Sequence, residues 1–146
     1  MDCFAVDVPG SVGFSQYLEA FYTSRTFKLE RFILGLLVRK PSTDHQAGQL
    51  AMGQISQFSA WTQEARVENQ IIMCDWQQIT RSCLMTVDNG DTTTLYLGTI
   101  IIPKGGAEGR GEKMAPLFKL TLGAHLLYSR ILLCSAVARL ARSGHL

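Results

Sequence analysis

Residues 79–102 read ITRSCLMTVDNGDTTTLYLGTIII, and this stretch decides the fold. Ile79 to Val87 and Thr92 to Ile102 are rich in Thr, Ile, Leu, Val and Tyr. Branched and aromatic side chains of this kind suit a pleated, half-buried surface. Between the two runs lies Asp88-Asn89-Gly90-Asp91. Asn-Gly between strands predicts a two-residue hairpin turn, because both central residues need positive φ. Reading back toward the N-terminus, Gln70 to Trp76 is another run of β-formers, rich in Ile and Met, followed by a turn at Gln77-Gln78. Ile55 to Arg66 precedes it, with Phe58 and Trp61 among small polar residues. The stretch therefore predicts at least four consecutive antiparallel strands, a meander.

The flanks are helical. Cys3 to Val8 reads as a short strand closed by Pro9-Gly10. Phe14, Tyr17, Leu18, Phe21 and Tyr22 then recur at helical spacing, with Ser11 as the expected cap. After a break at Thr23-Ser24-Arg25, the same period returns in Leu29, Phe32, Ile33, Leu36 and Leu37. This second helix runs to about Val38, since Lys40 precedes Pro41 and a residue before proline avoids the helical region. Residues 41–48 are polar and read as a loop. Pro103 to Lys113 contains Gly105, Gly106, Gly109 and Gly111 without the spacing of a phosphate-binding loop, and reads as a flexible linker.

Met114 to Arg142 predicts one long helix, with Pro116 in its first turn. Leu127, Tyr128, Ile131, Cys134 and Ala138 mark one stripe, while Leu122, Leu126, Leu133, Val137 and Leu140 fall on the other side. A helix apolar all round expects burial on both sides. Its charges interrupt the apolar run too often for a membrane span of roughly 20 residues. A homodimer through this helix is the expected second contact, and a peripheral membrane contact is the lesser alternative.

Composition agrees with one folded domain, residues 1–146. The chain is 47% apolar and 18% charged, against roughly 25% charged in an average soluble protein, which argues against disorder. A formal net charge of +2 gives no electrostatic footprint for nucleic acid. Cys3, Cys74, Cys83 and Cys134 lack metal-ligand spacing, so free, mostly buried thiols, no metal and no cofactor are expected. The N-terminus has no secretory pattern, which together with free thiols points to the cytoplasm.

Strand, two short helices, antiparallel meander and long C-terminal helix make an α+β arrangement. That order resembles the helix-grip fold of the START and polyketide-cyclase-like superfamily, which implies a curved antiparallel sheet gripping the last helix around an apolar cavity. Phe21-Tyr22-Thr23-Ser24, the strand around Ile71–Asp75 and the Arg81 strand are also similar to a bacterial domain-of-unknown-function family. Its members occur alone or fused behind Rossmann-type epimerase-like domains. Asp75 and Arg81 match that family's pattern, whereas Gln77 stands where its members carry histidine. The resemblance implies no activity.

Pairing across the two turns sets Cys74 opposite Arg81, Trp76 opposite Ile79, Tyr96 opposite Cys83 and Gly98 opposite Arg81. One face would then carry Trp76, Tyr96, Met85 and a single cation, Arg81. A guanidinium on an apolar face needs an anion. Either Arg81 anchors an acidic group of a hydrophobic ligand, or it pairs internally with Glu64, Glu68 or Asp75. His125 follows Thr121 and precedes Ser129 on a helical stripe beside Tyr128, where it could line a cavity as an acid or base. Trp61, Trp76, Tyr96 and Tyr128 complete the candidate ligand-binding set, although rings such as these and Tyr17 are more often core than ligand cage. The expected function is binding of a hydrophobic small molecule. The alternatives are a cyclase- or isomerase-type enzyme and a homodimeric interaction protein without a ligand.

Overall fold

The hairpin at the centre of the sheet joins β5 (Thr80–Asp88) to β6 (Thr92–Ile101) in a computed structural model. The structure describes residues 2–102 and 115–146, with the backbone only for residues 115–125. The linker expected at 103–113 lies outside the described residues. Around the hairpin the chain forms one antiparallel sheet, curled but unclosed. Its other strands are β1 (Asp2–Pro9), β2 (Gln57–Phe58), β3 (Trp61–Val67) and β4 (Gln70–Asp75), in the spatial order β1-β6-β5-β4-β3-β2. The meander runs β3-β4-β5-β6 as expected, and β1 returns to pair with β6.

The hairpin turn differs from the expected one by one residue. Asn89 N–H donates to Thr92 O at 2.8 Å, so the central pair is Gly90-Asp91. Only Gly90, at φ +91°, takes positive φ there. This is the one-glycine pattern of a type II′ turn, whereas the Asn89-Gly90 reading demands positive φ at both positions. Register therefore moves by two: Cys83 faces Gly98, and Met85 faces Tyr96. A shift of two keeps every side chain on its face. Gly90 has open space around it. Gly90→Ala should therefore destabilise through backbone strain alone, by about 1–2 kcal/mol in urea unfolding.

Between β1 and β2 lie α1 (Phe14–Tyr22), α2 (Arg25–Leu37) and α3 (Asp44–Ala51), so three short helices follow the first strand rather than two. Residues 44–48, within the stretch 41–48 expected as a loop, instead open α3. Thr43 caps it by accepting from Gln46 N–H, and Gln46 Oε1 accepts from Thr43 N–H in return. This reciprocal cap offsets a weakly helical sequence. Arg66, on β3, donates to Leu50 O and Ala51 O at the other end of α3, both at 2.6 Å. Gly13, not Ser11, caps α1, because Ser11 Oγ is committed to Asp88. Ser24 caps α2 by accepting from Phe27 N–H.

The aromatic stripe of α1 is fully buried. Tyr17 donates to Tyr96 O across the sheet at 3.1 Å. The last helix, α4 (Ala115–Arg142), packs on α1, α2 and β1, so α1 and α4 share the concave side. Leu132, Leu133, Ala136 and Leu140 are buried there, whereas Leu127 and Ile131 are exposed. The stripe through Leu127 and Ile131 thus faces outward in the single chain.

α2 departs furthest from the periodicity. Leu29, Phe32, Ile33, Leu36 and Leu37 are exposed, with Leu37 at 80%. The helix instead buries Phe27 and Arg31. All four cysteines are free, but Cys3 and Cys134 are exposed, so only Cys74 fits the expectation of a buried thiol.

Candidate functional site

A cavity of about 210 Å³ opens between the concave side of the sheet, α1, α2 and α4. Its inner end is apolar: Phe21 and Tyr22 from α1, Phe27 from α2, Leu97 from β6 and Leu132 from α4. Hydroxyl-bearing residues Thr80 and Ser82 on β5, Thr99 on β6 and Ser129 on α4 supply polar walls. Alternation along the strands explains these positions, since every second residue of β5 and β6 faces the same side. Trp61, at the start of β3, and Tyr128 complete the wall beside Glu30 of α2.

Glu30 gives the cavity its electrostatic character. Tyr128 O–H donates to Glu30 Oε2. Burial raises the carboxyl's pKa above the usual range, while the Tyr128 hydroxyl and the Trp61 indole oppose that rise. Trp61 Nε1 is buried and has no acceptor at hydrogen-bonding geometry, so it influences the carboxylate without completing a bond. Burial and the neighbouring Glu30 charge push the Tyr128 hydroxyl pKa up as well. A carboxyl whose pKa is raised on folding adds stability below its ordinary range, near pH 4, and that contribution is lost as pH rises through the folded value. Glu30→Gln should therefore flatten the fall in urea midpoint between about pH 4 and neutrality.

Two expected ligand residues, Trp61 and Tyr128, line this cavity together. Arg81 does not. It lies on the convex side of the sheet, and Nε donates to Glu64 Oε2 at 3.0 Å. Nη1 donates to Gln78 O, so the guanidinium finds internal partners, one of them among those the sequence offered. The hydrogen bond from Arg81 to Glu64 raises the pKa of Arg81 further. Cys74 faces Arg81 as expected, but Trp76 and Ile79 do not pair, because residues 76–79 form a four-residue loop. Asp75 Oδ1 holds that loop by accepting from Ile79 N–H and Thr80 N–H. Trp76 is 49% exposed and shares with Arg81 an open hollow that also carries Lys40, Glu64 and Asp75. Tyr96 is half-buried on the convex side. The side chain of His125 lies outside the described residues.

Sequence reasoning passed over Glu30. The visible signal was its place three residues after Phe27, but the stronger Leu29–Leu37 stripe drew the helix's inward face elsewhere. Arg31 was passed over for the same reason. It is 8% exposed and donates to Ser42 Oγ, Ser42 O, Tyr22 O and Asp44 Oδ1. Burial raises the Asp44 carboxyl pKa, but Lys28 and Arg31 outweigh that and hold it below its usual range.

Among the described residues, no group of three His, Cys, Asp or Glu is placed to hold a metal, and no helix is long and apolar enough to cross a membrane. No protein-family model matches the chain, and comparison with curated proteins and with solved structures finds no match.

Proposed function

We propose that this chain binds a small, largely apolar molecule in the cavity between the sheet and its helices. The observation that carries the reading is the cavity itself, aromatic inside and polar at Glu30, Trp61 and Tyr128. An apolar cavity of about 150 Å³ is enough to hold benzene. The present one suits a substituted single ring. Few convergent polar groups in an apolar pocket are the usual form of a small-molecule site. The likeness to the helix-grip superfamily supports the same reading through element order alone.

Ser82→Phe tests it, because Ser82 lines the cavity from β5 and a ring there would fill it. Toluene should raise the melting temperature of the wild type and leave Ser82→Phe unmoved, as binding only to the folded state stabilises it. Equal shifts in both proteins, or none in the wild type, would overturn the proposal.

A second reading is acid–base catalysis of cyclase or isomerase type, favoured by the contact of Tyr128 with Glu30 at the cavity. Glu30 would then be the base, and Glu30→Gln would abolish turnover of any substrate found. Self-association is compatible with both readings. The exposed Leu127 and Ile131 beside the exposed face of α2 favour a second copy of this chain as partner. Sedimentation showing only monomer at high concentration would exclude it.

A further inference from the structure

We propose that the ligand is a small aromatic or alicyclic amine, held as its ammonium form against Glu30; this rests on the binding reading above. Three observations converge on it. First, Glu30 is the only formally charged group among the described residues that line the cavity. Second, among the described residues no cation lies within salt-bridge distance of it. Two other acidic groups, by contrast, are supplied: Asp44 of α3 has Lys28 and Arg31, and Glu64 of β3 has Arg81. Third, the cavity that Glu30 lines is lined also by the rings of Tyr22, Phe27, Trp61 and Tyr128 and by hydroxyl-bearing residues.

Each part has a chemical use for an ammonium ion. A half-buried carboxylate that has a hydroxyl donor but no cation beside it is costly, and a ligand cation offsets that cost. Aromatic faces attract a cation, most strongly where water is excluded. An ammonium group has three donors and no acceptor. Glu30 accepts one of them, and the hydroxyls of Ser82, Thr99 and Ser129 are the acceptors nearest in kind. The ring of the ligand would occupy the apolar end at Phe21, Leu97 and Leu132. A carboxylate or phosphate ligand is disfavoured by the same Glu30 charge. Arg81, the cation that would suit such an anion, is on the far side of the sheet.

Benzylamine, toluene and benzoate share one ring and differ in charge, so they separate this inference from the reading beneath it. Calorimetric titration of the wild type near neutral pH should find benzylamine roughly tenfold or more tighter than toluene, with benzoate weakest. Glu30→Gln should lose the benzylamine advantage and keep the toluene affinity. Toluene binding as tightly as benzylamine to the wild type would overturn the amine assignment and leave the apolar cavity reading standing. Binding of none of the three would overturn both. A Glu30→Gln chain that fails to fold leaves the wild-type comparison of the probes to decide the matter.

Discussion

Arg31→Ala is expected to destabilise the protein by about 2–4 kcal/mol, because it leaves two carbonyl acceptors unsatisfied at about 1–3 kcal/mol each, while Asp44 keeps Lys28. The loss is not of one bond. Arg31 reaches Tyr22 O at the end of α1, both Ser42 oxygens that it contacts in the segment before α3, and Asp44 in the first turn of α3. Its guanidinium also lies 5.4 Å from the centre of the Phe58 ring. Truncation would leave carbonyls unpaired and the aromatic face without its cation. Arg31→Lys should recover only part of the loss, since an ammonium cannot reproduce the planar fork. Chemical denaturation measures both. A change within about 0.5 kcal/mol for Arg31→Ala, the size typical of an ordinary surface site, would contradict this account of α2.

Phe58→Ala should cost a comparable amount, about 3–5 kcal/mol. Its strand, β2, is only two residues long, so side-chain packing rather than a long ladder holds it. The ring is 2% exposed and meets Tyr22 edge-on at 5.2 Å and Phe27 at 6.4 Å. Tyr22 and Phe27 in turn form the wall of the cavity, so the variant should weaken toluene binding as well as stability. Leu36→Ser provides the contrast. At 67% exposure, Leu36 should change stability by no more than about 0.5 kcal/mol in the monomer, although periodicity alone would bury it.

The meander was legible because Asn89-Gly90 and the alternating runs around it are local signals, and the face assignments survived a two-residue error in register. The buried face of α1 was legible because five apolar residues agreed on one stripe. The periodicity of α2 misleads because its strongest apolar stripe is the exposed one, and its inward face carries charge at Glu30 and Arg31. Burial of those two depends on Tyr128, Trp61, Ser42 and Asp44, partners distant in sequence that no local pattern reports. α3 is hidden in the sequence because Thr43 and Gln46 make its cap within a run that otherwise looks like loop. Of the five aromatic residues that line the cavity, two, Trp61 and Tyr128, are legible as ligand candidates in the sequence. Arg81 and Trp76 were placed with them because strand pairing alone does not say which face of a sheet the helices cover.

The cavity is the claim on which the rest depends, and the chain's two tryptophans test it in one spectrum. Trp61 lines the cavity, whereas Trp76 sits in the loop on the convex side. In a nitrogen–proton correlation spectrum titrated with toluene, the Trp61 indole resonance should move and saturate while that of Trp76 stays in place. Resonances that both remain fixed, or that drift together without saturating, would contradict a ligand-binding cavity between the sheet and its helices.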